Sequence, residues 1–114
     1  MTVRTLMERC RHAQEELRAL KRQLNFVNKQ DDEAGVRRYR EMLNQRYREM
    51  DADLTRAEEL IRTLGDCRTR TILRYYYTLS WTDMKISEEL GITDEWTRKK
   101  RYAALKELEA RAAG

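Results

Sequence analysis

The chain has 114 residues, of which 40% are hydrophobic and 39% are charged, with 24 lysines and arginines against 20 aspartates and glutamates. This length provides one domain's worth of sequence and leaves no room for a second globular unit. The absence of proline and the presence of only four glycines favour an all-helical protein, and the net charge of +4 permits nucleic-acid binding without requiring it. No apolar run approaches a membrane span or a signal peptide, so we expect a cytoplasmic protein.

The first predicted helix begins near Val3 and carries a coiled-coil seam. Its apolar residues alternate at intervals of three and four: Val3, Leu6, Cys10, Ala13, Leu17, Leu20, Leu24 and Val27. His12 lies on the outer face without a Cys or His partner, and Cys10 and Cys67 show neither ligand nor disulfide spacing. We therefore expect no metal site and no cofactor.

The polar segment 28–35 predicts a turn, with Asp31 or Asp32 as the N-cap of a second helix. The second seam stops at Gly65, the expected C-cap, and runs through Val36, Tyr39, Leu43, Tyr47, Met50, Leu54, Ala57, Ile61 and Leu64. Two helices of about 27 to 30 residues joined by a short turn predict an antiparallel hairpin over residues 1–65.

Two facing helices leave the edges of each seam open, so a second copy of the hairpin is expected to cover them. The homodimer or higher oligomer would form through Leu6, Leu17, Leu20, Leu24, Leu43, Tyr47, Leu54 and Ile61.

Basic residues also cluster on the second helix, for example in the run from Arg37 to Arg40 and at Arg46 and Arg48. They could contact nucleic acid, but acidic residues are interleaved with them at Glu41, Glu49, Asp51 and Asp53. This pattern favours a solvated, ion-paired helical face.

After Gly65 the pattern changes to three shorter helical units. Asp66 is the expected cap of the first, in which Ile72, Leu73, Tyr76 and Tyr77 have core-facing spacing and Arg68, Arg70 and Arg74 lie outside. The three successive tyrosines point in directions about 100° apart on a helix, which favours core packing over a base-stacking platform.

The most informative stretch follows, from Trp81 to Thr93. Thr82 stands where an N-cap belongs, and Trp81 before it is positioned to pack on Ile86. The small Ser87 follows Ile86, Gly91 supplies a turn, Ile92 is an apolar anchor, and Thr93 caps the next helix. These offsets are typical of a helix-turn-helix.

Residues 77–108 resemble region 4 of the sigma-70 superfamily. The resemblance rests on Tyr77, on Ser80 to Thr82, on the ISEELGIT run from Ile86 to Thr93, and on the ALKEL run from Ala104 to Leu108. With the hairpin in front, the chain resembles small phage-encoded regulators of late genes. The resemblance implies a helix-turn-helix module over residues 66–114, sequence-specific binding of double-stranded DNA in transcription regulation, RNA polymerase as a second partner, and the cytoplasm of a bacterial host.

Two departures from the family stand out. The positions matching Thr97 and Lys100 or Arg101 are usually apolar in the family, and an aromatic residue is common where this chain has Asp83. Either Trp96 and Tyr102 take over part of the packing, or the third helix is held less firmly.

If the third helix enters the major groove, its early exposed residues meet base edges and its later basic residues meet phosphates. Trp96 either fills the core or stacks on the DNA backbone, and only part of the 98–101 basic run can face DNA. The reading helix begins at Thr93, and its expected base readers are Asp94, Glu95, Arg98 and Lys99. The expected contacts with the DNA backbone are Lys100, Arg101, Tyr102 and the Thr82 N–H.

The alternative function is a coiled-coil protein–protein adaptor, such as an RNA polymerase-binding factor, that keeps the helix-turn-helix only as a docking surface. Such an adaptor would lack salt-dependent DNA binding. An enzyme with a small-molecule substrate is not expected, because the sequence has no ligand cluster, glycine-rich phosphate loop or nucleophile with a base at a recognised spacing.

Overall fold

The computed structural model describes residues 1–113, apart from the Ala113 side chain, and confirms the all-α class. Residue 114, the last of the predicted module, lies outside that range. The described residues form no β-strand, and no helix among them has the length and apolar content that a bilayer crossing requires. Five helices follow one another: α1 Val3–Lys29, α2 Glu33–Arg62, α3 Cys67–Leu73, α4 Asp83–Leu90 and α5 Asp94–Ala113. A π-helical turn, Arg74–Thr78, continues α3.

The turn of the hairpin is shorter than predicted. Asp32 is the N-cap of α2 and accepts a 2.9 Å hydrogen bond from the Gly35 N–H, so Gly35 lies inside the first helical turn. A Cβ atom at Gly35 would lie 2.4 Å from an Asp32 carboxylate oxygen and 3.2 Å from the Val27 Cβ. Glycine is needed here because the cap and α1 approach its backbone closely.

The two seams face each other as predicted, with one exception. Most seam residues are buried or half-buried, whereas Tyr47 is 44% exposed. The prediction that Tyr47 belongs to the buried seam is therefore wrong. Met7, which the heptad pattern leaves outside the seam, is completely buried because a further part of the chain covers that side of α1.

The fold also changes the interpretation of the residues assigned to oligomerisation. Leu6, Leu17, Leu43 and Ile61 are already buried within a single chain, so a second copy is not needed to cover them. Leu20, Leu24 and Leu54 are half-buried and pack on the core of the hairpin.

The end of α2 differs from the prediction. The C-cap is Thr63, in right-handed helical backbone, and Gly91 is the chain's one glycine with positive φ among the described residues. The prediction of a left-handed C-cap at Gly65 is therefore wrong. Asp66 caps α3 as predicted, accepting hydrogen bonds from the backbone and side chain of Thr69.

The segment after Gly65 packs directly on one face of the hairpin, and the two parts of the chain share one hydrophobic core. The core includes Met7, Cys10 and Ile61 from the hairpin together with Leu73 and Leu105 from the later helices. Full burial of a leucine or isoleucine contributes about 1.5–3 kcal/mol. The predicted boundary at residue 65 falls in the loop between α2 and α3, but the packing continues across it.

Candidate nucleic-acid interface

Helices α4 and α5 form the helix-turn-helix, and both begin at the predicted threonine caps. The Thr82 hydroxyl accepts from the Lys85 N–H at 3.1 Å, and the Thr93 hydroxyl accepts from the Trp96 N–H at 3.1 Å. Gly91 ends α4 in left-handed backbone with φ 67°, and the next residue, Ile92, donates to the Ser87 carbonyl at 3.0 Å. This φ value explains why glycine occupies position 91, because a side chain would destabilise the left-handed conformation by about 1–2 kcal/mol.

A second contact fixes the angle between the two helices. The Ser87 hydroxyl donates to the Asp94 carboxylate, which ties the end of α4 to the first turn of α5. Asp94, predicted to read bases, therefore has a partner within the fold, and its charge lies at a helix N-terminus, where it is favourable.

The interior between α4 and α5 contains an ion pair. Arg101 is only 5% exposed, and its guanidinium donates two hydrogen bonds to the Asp83 carboxylate, from Nε at 3.2 Å and from Nη2 at 2.8 Å. Burial disfavours the charged guanidinium, yet the hydrogen bond and charge of Asp83 outweigh it and raise the Arg101 pKa above its ordinary value. The charges at positions 83 and 101 thus compensate each other inside the fold.

Thr97 completes this interior. It is fully buried, and its hydroxyl donates to the Thr93 carbonyl at 3.0 Å, so the polar group is satisfied inside α5. The side chain offers its methyl group to the core in place of a larger apolar residue. Trp96 and Tyr102 are 46% and 48% exposed, which does not favour the alternative in which they take over part of the packing.

The contacts of Arg101 give it a role other than the predicted one. Its guanidinium lies 3.8 Å from the centre of the Tyr76 ring, and the Arg11 guanidinium from α1 lies at the same distance. Two guanidinium groups cannot both stack at this distance on one face of a ring. They therefore lie on opposite faces of the Tyr76 ring, which is held between two arginines. Arg101 acts within the fold, and its assignment as a DNA-backbone contact is corrected.

Two arginines of α1 hold the turn that precedes α4, a function that the sequence analysis missed. Arg11 donates to the carbonyls of Tyr76 and Trp81 at 2.6 and 2.8 Å. Arg18 donates to the carbonyls of Leu79 and Ser80. The spacing of seven residues between Arg11 and Arg18, two turns of a helix on one side, was the available signal. The hairpin therefore sets the position of the helix-turn-helix.

The residues left exposed on the first half of α5 are mostly those predicted to meet DNA. Lys99 and Glu95 form a 3.2 Å ion pair, with side chains 70% and 75% exposed. Arg98 is 52% exposed and lies 3.8 Å from Asp83, whose carboxylate is already bound by Arg101. Exposed pairs of this kind stabilise the chain by at most about 1 kcal/mol, so these side chains are easily redirected to a ligand.

The aromatic residues at this surface lie beside cations. Lys100 Nζ is 4.8 Å from the centre of the Trp96 ring, and Lys85 Nζ is 4.1 Å from that of Trp81. Trp81 in turn stacks on Tyr75 with ring centres 4.2 Å apart. The predicted staple role of Trp81 is thus accompanied by a stacked pair at the start of α4.

Two further exposed cations, Lys85 and Lys106, extend the surface and were missed in the sequence. Lys106 follows Lys99 by seven residues and so lies on the same side of α5. Lys85 lies in the first turn of α4, where backbone N–H groups already favour an anion.

No family model, curated protein or solved structure matches this chain. The functional interpretation therefore depends on the geometry of α4 and α5 and on the charges that they present.

Proposed function

We propose that this protein binds double-stranded DNA sequence-specifically through α5 and regulates transcription. The observation that carries the proposal is the exposed, loosely paired Arg98–Lys99 pair at the start of a helix whose orientation is fixed by buried contacts. An α-helix about 10–12 Å in diameter fits the major groove, which is about 12 Å wide.

In this arrangement Arg98 and Lys99 are the principal base-reading side chains. A guanidinium or ammonium group pairs with the O6 and N7 acceptors of guanine, and the Glu95 carboxylate accepts from the amino group of cytosine. Each good pair discriminates against the wrong base by about 1–3 kcal/mol. DNA binding exchanges the exposed Lys99–Glu95 pair for contacts with base edges.

Phosphate contacts come from the flanks of the reading helix. Tyr102 and Lys106 follow the readers along α5, and Lys85 stands with the N-terminus of α4 beside the second backbone. Lys85 and Lys106 are the two cations placed on phosphates, and together they predict a contribution of about −1.8 to the slope of log affinity against log salt, because each phosphate contact contributes about −0.9.

The test begins with selection of bound duplexes from a random pool, followed by affinity measurements on the selected site. Arg98→Ala/Lys99→Ala should weaken binding at least about tenfold and relax the base preference at the positions that these two side chains contact. The matched control is Arg38→Ala/Arg56→Ala, which removes the same charge from exposed positions of α2. Equal affinity of the reading-helix variant and the unmodified protein would contradict the proposal, and salt-independent or absent DNA binding would favour the adaptor.

A further inference from the structure

The distal half of the hairpin carries a stripe of exposed basic residues on the side that faces the helix-turn-helix. On α1, residues 11, 18, 22 and 29 are spaced by seven, four and seven, which places them along one side of the helix. The first two, Arg11 and Arg18, reach the later helices. Arg22 and Lys29 continue the same line beyond the packed region and are exposed.

Helix α2 contributes a line of mixed charge on the same side, in which Arg37 and Arg40 lie between Glu33 and Asp51. Glu58 marks its side nearest the later helices, because it binds Arg74 at 2.6 Å. Residues 51, 47 and 40 lie on that same side by helical spacing, and Arg40 and Tyr47 are exposed. Lys21 of α1 lies 5.6 Å from the Tyr47 ring centre, which shows that the two lines are neighbours.

The ion pairs bear out the expected neutralisation by interleaved acids for Arg46, but among the described residues they do not extend to Arg37 and Arg40. Glu49 binds Arg46 at 2.9 Å, and Asp53 binds Arg9 at 2.9 Å, both away from the stripe. In the described part of the chain, none of the stripe's cations has a carboxylate within 4.0 Å; they are Lys21, Arg22, Lys29, Arg37 and Arg40. Glu33 and Asp51 lie at the two ends of the α2 line and also lack a partner there.

The stripe is continuous with the proposed DNA interface. Arg18 donates to the carbonyls of Leu79 and Ser80, immediately before the N-terminus of α4, and Arg22 follows Arg18 by one helical turn. From Arg18 to Lys29, α1 advances about 16 Å at 1.5 Å per residue. This distance matches the rise of roughly five nucleotides of one DNA strand at 3.4 Å each.

We infer that this stripe, residues 21, 22, 29, 37 and 40, binds the phosphate backbone of the same duplex that α5 reads, beside the segment in the helix-turn-helix. The inference rests on the proposed function. Exposed lysines and arginines without an ion pair suit phosphates, which require charge but no base-specific geometry. The hairpin therefore extends the DNA footprint and adds affinity without adding sequence preference.

The experiment compares two duplexes, one of 30 base pairs centred on the selected site and one trimmed to about 12 base pairs, roughly one helical turn. The variant is Arg22→Ala/Arg40→Ala, and the control is again Arg38→Ala/Arg56→Ala. All four substitutions replace exposed helical arginines that lack an ion pair among the described residues. The two variants therefore lose the same charge, and the stability of their helices should change by the same amount. Arg38 and Arg56 are each two residues from the stripe-side positions 40 and 58, which places them on the opposite side of α2.

We expect the stripe variant to bind the 30-base-pair duplex at least about tenfold more weakly at 50 mM salt, and its salt slope to flatten by about 1.8. Its affinity for the 12-base-pair duplex, and both affinities of the control, should change less than about twofold. Unchanged binding of the long duplex while Arg98→Ala/Lys99→Ala still loses affinity would overturn this inference and leave the proposed function standing. Equal losses on both duplexes would also overturn it, and an unmodified protein that binds neither duplex would refute both.

Discussion

Asp83→Asn tests the buried ion pair between α4 and α5. The substitution keeps the shape of the side chain but removes the charge that faces Arg101, whose side chain is 6% exposed. Arg101 remains charged because a guanidinium group does not lose its proton in a protein, even when it is buried. The variant therefore leaves a buried guanidinium without its counter-charge.

Breaking a buried pair by removing one partner destabilises a protein by about 3–5 kcal/mol. The Asp83 side chain is 18% exposed, so some water reaches the pair and we expect a loss at or just below the lower end of that range, about 2–3 kcal/mol. For a domain of this size 1 kcal/mol corresponds to roughly 4 °C, so the melting temperature should fall by about 8–12 °C.

The free energy of unfolding is measured by urea denaturation for Asp83→Asn and for the control Asp51→Asn, an exposed carboxylate of α2 without an ion pair among the described residues. The control should change stability by less than about 0.5 kcal/mol. Asp83→Leu/Arg101→Met removes both charges while keeping an apolar stem beside Tyr76, and should recover to within about 1 kcal/mol of the parent. A loss in Asp83→Asn no greater than in the control would refute the structural role of the pair.

Three further predictions follow from particular residues. Gly91→Ala should destabilise the fold by about 1–2 kcal/mol because φ is 67°. Gly65→Ala should not destabilise it, since no atom lies within 4 Å of the added Cβ. Equal melting temperatures of the two variants would contradict this prediction. Burial chiefly raises the pKa of Cys10 to about 11, so at pH 8 a thiol reagent should modify exposed Cys67 rapidly and Cys10 only after unfolding; rapid modification of both in the native protein would disprove it. Asp66 has a pKa lowered mainly by the hydrogen bond of a neighbouring threonine side chain, so its stabilisation is present above the ordinary value of 3.8 and is lost as pH falls through the folded-state value. The melting difference between the parent and Asp66→Ala should therefore shrink on acidification from pH 7 to 3, and a difference that grows would show the sign to be wrong.

Local signals predicted much of the fold because they depend on neighbouring residues. Threonine caps at positions 82 and 93, the cap at Asp66 and the left-handed Gly91 all follow from a few residues of sequence and are present in the structure. The heptads likewise predicted the hairpin. Gly65 was misassigned because a glycine after a helix is only a statistical sign of a left-handed cap, and here the helix ends two residues earlier, at Thr63.

Contacts between distant residues could not be predicted in the same way. The pairing of Asp83 with Arg101 joins two helices, so neither residue reveals its partner in its own periodic pattern. Arg11 and Arg18 lie outside the heptad seam of α1, and their partners are backbone carbonyls more than 60 residues away in the chain. The exposure of Tyr47 also depends on distant parts of the chain, because the later helices cover only part of the length of α2.

DNA binding of Arg98→Ala/Lys99→Ala is the decisive measurement for the surface that the fold leaves exposed on α5. On a duplex selected by the unmodified protein, the variant should lose at least about tenfold in affinity while keeping its melting temperature, and Arg38→Ala/Arg56→Ala should bind like the parent. Equal affinities of the parent and the α5 variant, measured on folded protein, would contradict the claim that α5 reads DNA.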